Sequence, residues 1–222
     1  MPKSKTFTQV ATDKNKVLFA HYDMVQAEIF WVRNGEKYNS SITPTVSLFN
    51  NYFGGGMGSI VFQTIRESKA LAYSTYSYFA LPSKKTDKDM VMAYVGTQAD
   101  KFNESTTAMN ELLTTLPKSE QLFETAKSGL RKTIAAERIT QDGIIFSYLS
   151  AQKLGLDYDR RKNVYEQSPK LNFADINTFH DKEMKGKNYT YCLVAAQDKV
   201  KDEDLLKLGE LKKLSLTEIF GY

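Results

Sequence analysis

Short apolar, β-branched and aromatic runs stand near the start of the chain, at residues 17–22 (Val-Leu-Phe-Ala-His-Tyr) and 26–33 (Gln-Ala-Glu-Ile-Phe-Trp-Val-Arg). A few polar residues separate them and Asn34-Gly35 closes the second, a pattern that predicts two strands. Thr43-Pro44 then reads as a helix start, with Thr43 as N-cap and the proline in the first turn. Val46, Phe49 and Phe53 follow at three- and four-residue spacing, and the helix stops at Gly54-Gly55-Gly56. A second helical segment runs from about Ser59 to Ala70 through Ile60, Val61 and Ile65. Two longer strands come next, Ala72 to Leu81 and Asp89 to Thr97, joined by a polar hairpin loop over residues 82–87.

From Asp100 the pattern is helical to Leu116, breaks at Pro117 and resumes at Ser119 with Phe123, Ala126, Leu130 and Ile134 on one stripe. Another helix is expected from Gly143 to Leu154, and a short one opens at Asn172, a good N-cap with Asp175 in the first turn. A strand from Tyr189 to Ala196 and a last helix from Asp202 to Leu208 precede a C-terminal tail. Strands in adjacent pairs between helical blocks depart from the strict alternation of a doubly wound fold. The expected class is therefore α+β, with a mostly antiparallel sheet backed by helices on one face.

Length changes this picture little: 222 residues make one large domain or two small ones. With no linker, low-complexity tract or composition break, residues 1–222 read as a single domain. Hydrophobic content of 41% and charged content of 25% belong to an ordinary globular protein that needs no disulfide or structural metal. The net charge of +4 is spread along the chain, which argues against nucleic acid as a partner. Cys192, the single cysteine, sits in an apolar run as a small hydrophobe and cannot form an intramolecular disulfide. No apolar run approaches the roughly 18 residues of a membrane span. The start Met1-Pro2-Lys3-Ser4-Lys5 has no signal-peptide core and fits a piece of a longer chain.

Candidate chemistry gathers in the middle of the sequence. The run Asn50-Asn51-Tyr52-Phe53-Gly54-Gly55-Gly56-Met57-Gly58-Ser59 follows a helix and carries no lysine, so it is neither a phosphate loop nor a dinucleotide fingerprint. It reads as a glycine C-cap and tight turn, which also lets backbone come close to an extended ligand. Arg66 and Tyr73 stand seven residues apart, and both are donors suited to carbonyl oxygens or a developing oxyanion. The same pair equally fits a surface arginine and a half-buried sheet tyrosine. Arg160-Arg161-Lys162 reads as a solvated turn, and the aromatic face at Tyr73, Tyr76, Tyr78 and Phe79 as sheet packing. The solvent-side tyrosines and the edge strand are also open to an extended chain by strand addition.

Taken together, Asn50 to Ser59, Phe62-Gln63-Thr64-Ile65-Arg66-Glu67, Leu71-Ala72-Tyr73-Ser74 and Gly96-Thr97 closely resemble the inactive, second-type domain of M16 (pitrilysin-type) zinc metallopeptidases. The resemblance implies a LuxS/MPP-like α+β domain that closes a peptide chamber against a catalytic M16 domain, in the same polypeptide or a separate subunit. It also implies that Arg66 and Tyr73 bind substrate backbone and support the transition state, and that zinc is held by the partner. Family catalysis requires His-x-x-Glu-His. This chain offers only His21, without a ligand set nearby, and His180-Asp181-Lys182-Glu183-Met184, in which methionine ends a chance imitation. His180 is expected on the surface or partly packed in a helix. The chain alone is therefore expected to be inactive and to bind no metal. A scaffold with the M16 fold and no part in proteolysis is the alternative. Compartment is open, with the resemblance leaning toward the bacterial periplasm or cell envelope for the parent protein.

Overall fold

Among the described residues, six strands form one sheet in the order β3-β4-β2-β5-β1-β6: β1 (Lys16–His21), β2 (Gln26–Lys37), β3 (Ser74–Ala80), β4 (Lys88–Gln98), β5 (Thr190–Ala195) and β6 (Glu210–Leu214). The structure is a computed structural model that describes residues 8–221, so the Met1 to Lys5 start lies outside the described residues. β2 runs antiparallel to β4 and β5, and β3 antiparallel to β4, while β1 lies parallel to β5 and β6. The expected α+β class with a mostly antiparallel sheet matches this arrangement.

The helices are α1 (Thr43–Phe53), α2 (Phe102–Thr114), α3 (Glu120–Ala136), α4 (Gln141–Lys153), α5 (Arg160–Gln167), α6 (Phe173–Glu183), α7 (Asp202–Leu208) and α8 (Leu216–Phe220). One sheet face alternates Ala27, Ile29 and Trp31 on β2 with Val91, Ala93 and Val95 on β4, all buried in one core with residues of α1, α2 and α6. Phe49 stacks on Phe53 within α1 and packs against Phe179 of α6, with ring centroids 5.0 Å apart in each pair. Each such buried ring contributes about 1.5–3 kcal/mol. Trp31 is buried without loss because its indole N–H donates to Asn110 Oδ1 at 2.8 Å.

Several expectations about local structure change on contact with the fold. β2 does not close at Asn34-Gly35 but continues to Lys37 through a bulge, where Gly35 passes close to Asp89. Thr43 is the first helical residue rather than the cap. The chain enters α1 from a 3₁₀ turn at Ser40–Ile42 that Asn39 caps by accepting the Ser41 N–H. Arg160-Arg161-Lys162 is the first turn of α5, capped by Asp159, and Arg161 also pairs with Asp159 and Glu137. The C-terminal tail forms β6, a short charged edge strand, and α8, opened by a Ser215–Glu218 capping box.

His180 departs furthest from its expectation. It is fully buried beside the Phe49 and Phe53 rings, with Nε2 at 2.8 Å from the Leu112 carbonyl oxygen. Burial holds its pKa below the usual imidazole range. The helix that carries it is apolar on that side, with Ile176 and Phe179 also buried.

A buried polar cluster lies at one end of the helix-covered face. Arg33 donates to the Glu183 carbonyl and lies 3.8 Å from the Glu183 carboxylate, while Asp89 is buried with Oδ1 unpartnered. Burial, with Glu183 and Glu36 adding repulsion, pushes Asp89 up to about 6. A carboxyl raised in the folded state favours folding when protonated, so its favourable contribution is lost as pH rises from about 4 through 6. Asp89→Asn is therefore expected to raise stability in urea by up to about 3 kcal/mol at pH 8 and to change little below pH 4. A wild-type-to-variant gap that stays constant between pH 4 and 8 in urea unfolding would rule this out.

Candidate functional site

The glycine run works first as a joint within the chain. Gly54 N–H donates to the Asn50 carbonyl at the end of α1, and Ser77 N–H of β3 donates to the Gly54 carbonyl at 3.3 Å. A Cβ at Gly54 would stand 2.1 Å from the Ser77 carbonyl oxygen, so only glycine lets the helix end sit directly on the strand backbone. Asn50 completes the joint. Its amide donates to the Phe79 carbonyl and its oxygen accepts the Phe79 N–H, each at 2.9 Å. The close backbone approach expected of the glycines is thus made to β3. The backbone groups of Ser77 and Phe79 that face away from β4 are occupied by α1, so strand addition to β3 does not occur at these positions.

Beyond Gly56, whose φ of 93° requires the left-handed region, the turn is tied to the next segment. Ser59 Oγ donates to the Gly56 carbonyl and Gln63 donates to the Met57 carbonyl at 2.7 Å. That segment, expected as an ordinary helix, is wound as a π-helix over Phe62–Ser68. Wide winding of this kind re-aims side chains relative to a regular helix. It ends at Ala70, which takes the left-handed φ of 49°, and the chain is then pinned to the end of β4. Thr97 Oγ1 donates to the Leu71 carbonyl at 2.6 Å and Tyr73 N–H to the Gly96 carbonyl at 3.1 Å.

These constraints bring Arg66 and Tyr73 together. The Arg66 guanidinium carbon lies 5.4 Å from the centre of the Tyr73 ring and 4.8 Å from that of Phe62, cation–π contacts that limit its rotamers. Arg66 Nε is 3.7 Å from Glu67, with 39% of the arginine side chain exposed. Tyr73 is 77% exposed, so the half-buried sheet tyrosine is not what the fold makes of it. A planar fork of N–H donors and a phenolic hydroxyl stand side by side at the rim of the sheet, able to grip carbonyl oxygens of an extended chain.

The sheet face away from the helices is open and largely apolar. One row crosses it through Tyr76, Tyr94, Phe30, Cys192 and Leu18. Tyr76 and Tyr78 are exposed on this face while Phe79 alone of the expected aromatic set is core. Sequence reading missed the Tyr94–Glu28 hydrogen bond beside Tyr73. Gly96, a glycine inside a strand, is the signal that marks the close approach there.

Metal ligands do not gather here. Among the described residues there is no group of three or more His, Cys, Asp or Glu side chains placed to hold a metal ion. His21 Nδ1 accepts the Gln197 N–H at 3.1 Å, and His180 is buried among aromatic rings. The residues present do not fit a zinc site. No helix among the described residues is long and apolar enough to cross a membrane.

Comparison with known proteins places this geometry. The uncharacterized zinc protease YmxG of Bacillus subtilis (strain 168) is 42% identical over 69 residues, which cover 31% of this chain and 16% of YmxG. Among solved structures, a peptidase M16 inactive domain from Pseudomonas fluorescens superposes with a TM-score of 0.71 at 19% identity, covering 90% of this chain and 48% of that one. A conserved protein from Enterococcus faecalis V583 gives 0.69 at 14% identity, with 85% and 44% covered. A protease from Helicobacter pylori gives 0.68 at 11% identity, with 87% and 48% covered. The chain thus spans under half of these solved chains and a smaller share of YmxG. The likeness to the solved structures shows the fold, and the family profile described as the peptidase M16 inactive domain matches residues 1–130, a stretch that holds the glycine joint, Arg66, Tyr73 and the first four strands. By that match, the chain belongs to the peptidase M16 inactive-domain family.

Proposed function

We propose that this chain is the non-catalytic, substrate-binding domain of an M16 zinc metallopeptidase, one domain of a larger assembly. It closes a peptide chamber against a catalytic M16 domain, fused or separate, that carries zinc and the His-x-x-Glu-His residues. The observation that carries the reading is the contact between Arg66 and the Tyr73 ring at the rim of the open sheet face, within the family match. Arg66 donates to backbone carbonyls of an extended peptide and fixes its register. Tyr73, its backbone held by Gly96, aims its hydroxyl at the carbonyl whose oxygen gains charge during hydrolysis. The open apolar face behind them receives the side chains of the same peptide.

The test uses the assembled peptidase, chain and catalytic domain together. Tyr73→Phe is expected to lower kcat/KM for an unstructured peptide about 10- to 100-fold, mainly through kcat, because a hydroxyl used in the transition state is removed. An unchanged kcat in the assembled enzyme would sink the role given to Tyr73.

A further inference from the structure

Glu28 is the one carboxylate among the open-face positions of β1 to β5, and the fold builds a seat for it. Tyr94, on the neighbouring strand, lies over Gly96 and donates its hydroxyl proton to Glu28 Oε2. A Cβ at Gly96 would stand 2.6 Å from the Tyr94 hydroxyl and 3.1 Å from Glu28 Oε2, so the missing side chain is what makes room for the pair. Phe30 and Tyr76 hold the Tyr94 ring from either side, with centroids 4.7 and 5.1 Å away. Burial and the bond to Glu28 push the phenol above its ordinary range, which keeps it a donor.

The seat adjoins the site already described, because the carbonyl of the same Gly96 accepts the Tyr73 N–H. The Glu28 carboxylate is fixed through one oxygen and uses the other for no bond or ion pair within the described residues. A half-buried, oriented carboxylate set among aromatic and aliphatic carbon suits a long cationic side chain. The ammonium or guanidinium meets the oxygen and the aliphatic stem lies along the rings.

We propose that Glu28 is a specificity-determining residue that selects a lysine or arginine side chain in the peptide gripped by Arg66 and Tyr73. The inference rests on the function proposed above and adds a division of labour. The Arg66–Tyr73 pair reads backbone carbonyls without regard to sequence, whereas Glu28 reads one side chain. Tyr94 is a positioning residue for it.

The experiment measures binding of fluorescein-labelled apolar dodecapeptides with a central lysine, norleucine or glutamate to the chain itself, by fluorescence anisotropy. The expected order is lysine over norleucine over glutamate, with lysine about tenfold tighter than norleucine. Glu28→Gln keeps an oxygen for the Tyr94 hydroxyl, so it is expected to abolish the preference and leave norleucine-peptide affinity unchanged. Equal lysine and norleucine affinities in the wild type, or a preference that survives Glu28→Gln, would overturn the inference. Arg66→Ala separates the two readings, since it is expected to weaken all three peptides alike and keep their ratio. If Arg66→Ala changes none of them, the Arg66 grip fails while the ratio still reads Glu28; absence of binding by every peptide overturns both.

Discussion

Arg66→Ala in the assembled peptidase is expected to lower kcat/KM by about 10²- to 10³-fold, while stability of the chain stays within about 0.5 kcal/mol. The two halves of this expectation come from different facts. The Arg66 side chain is two-fifths exposed, its ion pair with Glu67 is a surface contact of small worth, and its ring contacts with Phe62 and Tyr73 lie at the rim, so folding loses little. In the proposed complex the same group presents several fixed donors to substrate carbonyls in a partly dry chamber, where charge-assisted bonds are strongest. Arg66→Lys keeps the charge but loses the planar fork, and an intermediate loss is expected. Peptide hydrolysis by wild type, Arg66→Ala and Arg66→Lys, with urea unfolding of each, checks both halves. A large stability loss in Arg66→Ala would make the residue structural instead.

Gly54→Ala is expected to destabilise the chain by about 3 kcal/mol or more. The added methyl would have to occupy a point 2.1 Å from the Ser77 carbonyl oxygen, and the obstacle is backbone on a sheet strand, which cannot rotate aside. Relief requires the end of α1 to lift from β3, which stretches the Ser77–Gly54 hydrogen bond and the paired Asn50–Phe79 bonds. Gly58→Ala, four residues on, meets nothing within 4 Å and has no left-handed φ, so it is expected to be neutral or slightly stabilising. Urea unfolding of the two variants side by side makes the comparison. Equal midpoints would show that the glycine joint can relax.

Legibility in the sequence followed the physical origin of each signal. Helices with an apolar stripe, such as α3 with Phe123 and Ala126, and strands with hydrophobic alternation, such as β4, declare themselves because burial imposes a period. β6 and α5 bury little and are charged, so hydrophobic pattern says nothing of them. Asp159 and Ser215, both capping residues, were the local signals that mark the α5 and α8 starts. His180 is not placed by the sequence because a histidine has no fixed preference and its burial depends on the Leu112 carbonyl oxygen, distant in sequence, accepting from Nε2 across the core. Arg66 and Tyr73 were readable as donors at a suggestive spacing. The π-helix, the left-handed Ala70 and the two anchors on β4 that make them neighbours come from long-range packing.

The order of the strands also bears on how the chain comes into being. Among the described residues β1 pairs only with β5 and β6, so within them Lys16 has no sheet neighbour until Thr190 and Glu210 exist. At about 5–20 residues per second on a ribosome, that interval lasts roughly 10–40 s. The β2-β4-β3 antiparallel half can assemble long before, by hairpin-like closure over shorter loops. For that whole time Val17 and Phe19, which end buried, lack the strand neighbours that cover β1 in the folded chain.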